Sequence, residues 1–196
     1  MPTTATPTVL TGAGFLFIAP LLTALPANTV TASKFSDAWP AAWISLGATE
    51  EGSTFSYSTT VEAVTVAELF DPVKFETTER SGSIAFNLAD FTLSNYRRAL
   101  NGGTAALAVT TGTGATSLYT MEPPAPGAEV RSMIGWESLD GTVRLIIRQS
   151  IQGGEVSSAF QKAPSKALIP CTFNMEVPAS GAVFSLYGAG TARGGL

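Results

Sequence analysis

Histidine is absent from the 196-residue chain, and cysteine occurs once, at Cys171. Metal sites built from those two residue types are therefore excluded, as are Ser-His-Asp and Cys-His nucleophiles. A lone cysteine forms no internal disulfide, so a secreted disulfide scaffold is out and a reducing cytoplasm suits the chain. Charge is also scarce, at 13% of residues, about half the usual share. A compact monomer of 20.3 kDa exposes roughly 8,800 Å². The 11 basic and 15 acidic side chains then supply one charge per ~340 Å². An isolated soluble domain carries more charge to stay dispersed. The composition points to a surface covered by other protein; a Ser- and Thr-rich surface is the alternative.

Long hydrophobic runs are missing too. The most apolar stretch, Phe15 to Leu25, is broken by Pro20 and is too short to span a bilayer. It resembles a signal-peptide core, with Ala24-Leu25-Pro26-Ala27 as a cleavage site. A signal peptide begins with positive charge, however, and the first Lys or Arg is Lys34. The run reads as a buried strand and the start of a loop, and no membrane partner is expected. The net charge of −4 and pI near 4.8 argue against a protein that grips nucleic acid. They permit a surface past which nucleic acid slides.

What is present is mostly strand signal. The first twelve residues are Thr-, Pro- and Ala-rich and read as an extended arm. Phe15 to Ile18 reads as a strand buried on both faces. Residues 20–40 contain Pro20, Pro26, Asp37 and Pro40 and read as a long loop, of the kind that is usually functional or interfacial. Its Leu21, Leu22, Leu25 and Phe35 are out of place on a free surface. Trp43 to Leu46 reads as a strand ended by Gly47. Phe55 and Tyr57 alternate with Ser and Thr, as in a half-buried strand. Thr59 to Glu68 is assigned to strand for its β-branched residues, Asp71-Pro72 to a turn, and Lys74 to Thr78 to a pairing strand.

In the next stretch Ile84, Phe86 and Leu88 alternate with Ser83, Ala85 and Asn87. Thr92 is a plausible N-cap for a helix over about 92–101, with Leu93, Tyr96 and Leu100 at helical spacing. Arg97 and Arg98 complement the dipole late in that helix, and Gly102 supplies the left-handed residue after it. Thr104 to Thr111 and Thr116 to Met121 read as strands across Gly112-Thr113-Gly114, followed by a Pro-Gly loop at 122–128. Asp140-Gly141 between Val130–Leu139 and Thr142–Ser150 is the strongest short hairpin signal, and Gly153-Gly154 ends the second strand. A weaker strand is expected over Glu155 to Gln161. From Ile169 to Val177 the alternation places Cys171 on an apolar face, as a small core hydrophobe. Val183 to Tyr187 is the last strand. About ten strands and one helix predict an all-β sandwich or barrel with a lone helix packed on it.

No motif carries recognisable chemistry. Glu50-Glu51 is an adjacent carboxylate pair, but glycoside hydrolysis needs two acids facing each other across a substrate. It reads as a solvated or interfacial turn. The Gly-rich pieces never continue into a phosphate loop. Trp39, Trp43 and Trp136 suit core or interface packing better than stacking on sugars or bases. No cofactor is expected.

Several stretches resemble the major tail proteins, or tail tube proteins, of long-tailed phages with non-contractile tails, especially those of actinobacterial hosts. They are Gly47-Ala48-Thr49-Glu50-Glu51-Gly52, Val61-Glu62-Ala63-Val64, Asp71-Pro72-Val73, Ser81-Gly82-Ser83-Ile84-Ala85-Phe86 and Asn95-Tyr96-Arg97-Arg98-Ala99-Leu100-Asn101-Gly102-Gly103. Val177-Pro178-Ala179-Ser180-Gly181, followed by Phe184 to Gly188, adds to the likeness, which spans about two thirds of the chain. The motifs are soft, residues 1–40 carry little of them, and the extra C-terminal immunoglobulin-like domain of some members is not expected.

The resemblance implies a structural virion protein, not an enzyme, made in the host cytoplasm. Sixfold rings form in which the strands of every subunit join one barrel. Rings stack around a tape-measure protein, meet tail terminator and distal tail proteins at the ends, and later pass DNA without specific binding. On this basis the domain spans residues 13–187, between an N-terminal arm at 1–12 and a C-terminal arm at 188–196. Lumen candidates are Ser83, Ala85, Asn87, Thr172, Asn174 and Glu176, whose faces are uncharged or acidic. Inter-subunit candidates are Leu21, Leu22, Leu25, Phe35, Glu50, Glu51, Phe70 and Pro72, with loops 20–40 and 53–80 and both arms making ring-to-ring contacts. The rival readings are a monomeric surface adhesin or carbohydrate-binding β-sandwich, with exposed Trp at a groove, and a β-sandwich hydrolase using Glu50 or Glu51.

Overall fold

A computed structural model describes residues 12–109, 118–160, 162 and 165–190. The expected turn at Gly112-Thr113-Gly114 and most of both terminal arms lie outside the described residues. Twelve strands and one short helix are found among those described. The strands are β1 Gly14–Pro20, β2 Val30–Thr31, β3 Lys34–Phe35, β4 Ile44–Ser45, β5 Thr49–Val64, β6 Lys74–Leu88, β7 Thr104–Val109, β8 Leu118–Glu122, β9 Ser132–Ser138, β10 Val143–Gln152, β11 Ile169–Met175 and β12 Phe184–Gly188. The helix α1, Leu93–Ala99, follows β6.

One antiparallel sheet runs in the order β4-β1-β9-β10-β11-β6-β5, and β12 also pairs β10. β10 is the hinge of the arrangement. Its first half pairs β12 (Val143↔Gly188 to Ile147↔Phe184) and its last residues pair β11 (Ser150↔Met175 to Gln152↔Phe173). Leu16 and Ile18 of β1 share one apolar cluster with Ile84, Phe86 and Leu88 of β6 and with Ile169, Cys171 and Phe173 of β11. Strands near opposite ends of the sheet order thus meet in one core, so the sheet is curled on itself, as the alternation in β6 and β11 requires.

The other face of β1, β9 and β10 carries a second cluster of Ala19, Trp43, Met133 and Ile146, with Phe17, Leu25 and Trp39 packed on it. The wholly apolar run in β1 is explained by these two clusters, one on each face, although Phe15 at its start is exposed. Gly135 lets the second layer approach, since a Cβ there would lie 2.4 Å from the Trp39 ring.

Several expectations are corrected. Lys74 to Leu88 is one strand, not two; it pairs with all of β5, from Thr49↔Leu88 to Val64↔Lys74. The strand expected to reach Glu68 stops at Val64. Glu50-Glu51 belongs to β5 and not to a turn: the register shifts between Glu50 and Ser53, with Glu51 at φ 59° and Gly52 at φ 82°, a bulge. In α1 the Thr92 cap forms, its Oγ1 accepting from Asn95 N at 3.2 Å. The buried residues, however, are Asn95 and Ala99, while Leu93 is exposed. Asn95 turns inward because its Nδ2 donates to Leu46 O (3.1 Å) and Asp90 O (3.0 Å). Asn101, at φ 58°, is the first left-handed residue after the helix, ahead of Gly102. No strand forms among the described residues of 155–161, and Val177 is exposed.

Candidate functional site

β5 and β6 build the most unusual surface. The β6–β11 pairing ends at Ser83↔Asn174, and beyond it β5 and β6 pair only with each other, although Tyr57 still packs edge-on against Phe184 at the base. Tyr57 to Val64 extends this two-stranded arm roughly 26 Å. Every residue from Thr54 to Ser81 is exposed except Val64. Val61, Val66, Leu69, Val73 and Phe75 are apolar and exposed, and Phe70 at the tip is 109% exposed. Pro72 is exposed beside it. A two-stranded hairpin without a covered face is marginal in water.

β5 is also the end of the sheet order. Over 16 residues it offers one unpaired row of backbone donors and acceptors, without Lys or Pro and interrupted only by the register shifts at Glu50/Ser53 and Thr60/Val61.

At the base of the arm the registers place Thr54, Ala85 and Thr172 in one row and Ser56, Ser83 and Asn174 in the next. Asn87 lies between Glu50 and Pro170. These residues face away from the core in an open, hydroxyl- and amide-rich strip, within which none of Ser83, Ala85, Asn87, Thr172 or Asn174 is fully buried. Glu50 at its border forms an ion pair with Lys166. Glu176 lies past the last β6–β11 rung. Its carboxylate accepts from Gln149 Nε2 (2.9 Å) and Arg131 Nε (3.2 Å). The Gln149 bond, then Arg131, hold it below the usual carboxylate range against the opposing effect of burial.

The remaining candidates divide. Leu22 is displayed, 85% exposed at φ 63°, and Leu21 is partly exposed beside it. Leu25 and Phe35 face inward. Leu25 joins the second cluster, and Phe35 lies 4.5 Å under the guanidinium of Arg144. Glu51 is exposed in the bulge.

Arg144 escaped the sequence analysis, though an arginine inside Val143-Arg144-Leu145-Ile146-Ile147 was a signal. It is 0% exposed. Its Nη1 donates to Asn28 Oδ1 (3.0 Å) and Asp37 Oδ2 (3.1 Å), its Nη2 donates to Asp37 O (3.2 Å), and its Nε donates to Glu137 Oε2 (3.0 Å). Trp39 Nε1 donates to the same Glu137 oxygen at 2.6 Å. This network ties the long 20–40 loop to the sheet. Burial pushes the Asp37 carboxyl up, but the Arg144 hydrogen bond and charge outweigh it, so the group sits below its ordinary 3.8.

Arg97 and Arg98 border an open cavity of about 260 Å³, walled by Ile18, Pro20, Ile44 and Val130. Arg98 donates to Asn95 Oδ1 (2.8 Å). All three tryptophans pack inward: Trp43 is buried with its Nε1 donating to Ala24 O, Trp39, partly buried, binds Glu137, and Trp136, partly buried, packs on the main core. Among the described residues no group of three His, Cys, Asp or Glu side chains is placed to hold a metal, and no helix is long and apolar enough to cross a membrane.

An antiparallel, curled sheet with a bare edge and an unsupported arm is the form of a protein that joins others. Residues 1–164 match the phage tail tube protein family, and the chain belongs to that family. It is therefore a structural component of the phage tail, a virion protein that associates with itself and with other tail proteins. No curated protein matches the chain.

Proposed function

We propose that the protein forms stacked hexameric rings whose subunits share one β-barrel, the tube of a non-contractile tail. The observation that carries this reading is the bare edge of β5: a strand of 16 residues with no pairing partner on that side in its own subunit is a template for a neighbour's strand. Ring closure supplies that neighbour. The strip of Ser83, Ala85, Asn87, Thr172 and Asn174 then faces the lumen, where an uncharged surface lets DNA phosphates pass unheld. Glu176, held by Arg131 and Gln149, belongs at its margin.

Exposed Leu21 and Leu22 in the 20–40 segment, Glu51 in the β5 bulge, and Phe70 and Pro72 at the tip of the β5–β6 arm contact the next ring, with the arms at 1–12 and 188–196. Leu25, Phe35 and Glu50 act through their own subunit. A tape-measure protein fills the lumen during assembly in the host cytoplasm, and terminator and distal tail proteins close the ends. The chain performs no catalysis.

Electron microscopy of the purified protein tests the reading, with rings or tubes as the expected result. A monodisperse monomer at every concentration, with no oligomer in the phage particle, defeats it. Deleting residues 1–12 is expected to shorten or abolish tubes. The adhesin reading needs exposed tryptophan at a groove and is not favoured by three that pack inward. Pairing of Glu50 with Lys166 likewise weighs against its use as a catalytic acid.

A further inference from the structure

Charge is unevenly shared between the arm and the body. Residues 57–80 carry five carboxylates (Glu62, Glu68, Asp71, Glu76, Glu79) against Lys74 and Arg80. The arm thus holds −3 of the chain's net −4. At its tip Glu68 and Asp71 flank Leu69 and Phe70, and all four are exposed. Lys74 is neutralised locally by Glu76 (2.5 Å); no ion pair engages Glu68 or Asp71 among the described residues.

The body offers the opposite pattern. Arg97-Arg98 is the single adjacent pair of cations in the sequence. Neither makes an ion pair among the described residues, and both border the cavity walled by Ile18, Pro20, Ile44 and Val130. Burial, and then the charge of Arg97, lower the Arg98 pKa, the mark of a half-buried cation beside a like charge. A second open cavity, of about 390 Å³ beside Leu21 and Leu22, has only Arg148.

The tip cannot reach this cavity in its own subunit. Asn101 at the cavity wall accepts from Gln152 N at 2.8 Å. Gln152 pairs with Phe173, and Phe173 with Ile84. The cavity is therefore level with Ile84, ten residues along β6 from Lys74, or roughly 33 Å. Donor and acceptor surfaces that differ and lie apart on one subunit make a head-to-tail contact, which propagates as a filament.

We infer that the Glu68-Leu69-Phe70-Asp71 tip of one copy inserts into the Arg97/Arg98 cavity of a copy in the next ring. Phe70 fills the apolar hollow, and the flanking carboxylates meet the two guanidinium groups. This rests on the tube reading and names the contact that stacks its rings.

Two measurements on the full chain test it. Phe70→p-benzoylphenylalanine, irradiated under assembly conditions, should yield intermolecular adducts mapping to residues 18–20, 44, 97–103 or 130–132. Charge reversal supplies the second. Arg97→Glu with Arg98→Glu, or Glu68→Lys with Asp71→Lys, should each raise the concentration needed for tubes at least about tenfold. Equal mixing of the two variants should restore tubes, because each then carries the complement of the other; this rescue also shows that both variants fold. Adducts elsewhere, or tubes indifferent to the reversals, overturn this contact and leave the tube reading intact. No rescue on mixing overturns the charge pairing. A wild-type chain that stays monomeric throughout overturns both.

Discussion

Arg144 and Asp37 stand 107 residues apart in the chain, yet Arg144 Nη1 lies 3.1 Å from Asp37 Oδ2. Through this bond and its partners at Asn28 and Glu137, the loop that covers the second apolar cluster is fixed to β10. Removing the cation leaves two carboxylates facing a dry layer. Arg144→Ala is expected to lower stability by about 3–5 kcal/mol, read from urea unfolding followed by tryptophan fluorescence. Arg144→Lys should recover only part, since one ammonium nitrogen cannot reach at once the separated acceptors that Nε, Nη1 and Nη2 of the planar fork span.

The same bond gives an acid dependence. Asp37 is depressed below its ordinary 3.8 in the folded state. The unfolded chain therefore takes up the proton first as pH falls. The contribution is full above about pH 4 and is lost below it, down through the folded pKa. The urea midpoint should drop steeply in that window. Asp37→Asn should be less stable at neutral pH and show a shallower drop; an unchanged slope would exclude Asp37 as its source.

Cys171 is buried, and burial pushes its thiol up to about 12. Neutral reagents such as iodoacetamide should leave it untouched in the native protein at pH 8 and label it promptly in urea. The raised pKa also means that stability is full below the ordinary value of 9.0 and declines as pH rises above it, because only the unfolded thiol ionises there. Cys171→Ala should remove that alkaline decline while costing core packing.

Ala85 stands between Thr54 and Thr172 in the uncharged strip. Ala85→Arg should leave tubes intact but place a ring of cations in the path of DNA. Genome ejection from phage carrying it should slow on the order of tenfold at low salt and recover as salt rises. Normal ejection at low salt would remove this strip from the lumen.

Much of the framework was readable from local chemistry. Asp140-Gly141 produced its hairpin, with Gly141 at φ 68°, and the alternation around Cys171 gave the buried face of β11. What was hidden depends on partners distant in sequence. Ser81-Gly82 looks like a break, yet Gly82 pairs with Tyr57 inside a continuous ladder, so the long arm was divided into pieces. Asn95 looks like a surface residue of a helix; two carbonyls from elsewhere draw it inside. Arg144 looks misplaced in an apolar strand until the acids of a remote loop are brought to it. For the candidate surfaces, Phe70 and Leu22 could be singled out because bulky apolar side chains lay among turn residues. Leu25 and Phe35 looked the same, and only the fold shows that they also pack within their own subunit.

The unclaimed backbone along β5 also constrains how such a protein can be produced. A cell that accumulates many copies holds, in each, a template as receptive to a wrong strand as to the right one. Orderly polymerisation must outrun misassociation, and synthesis in excess of the growing tail is expected to end in ectopic polymer or precipitate rather than a standing reserve of single chains.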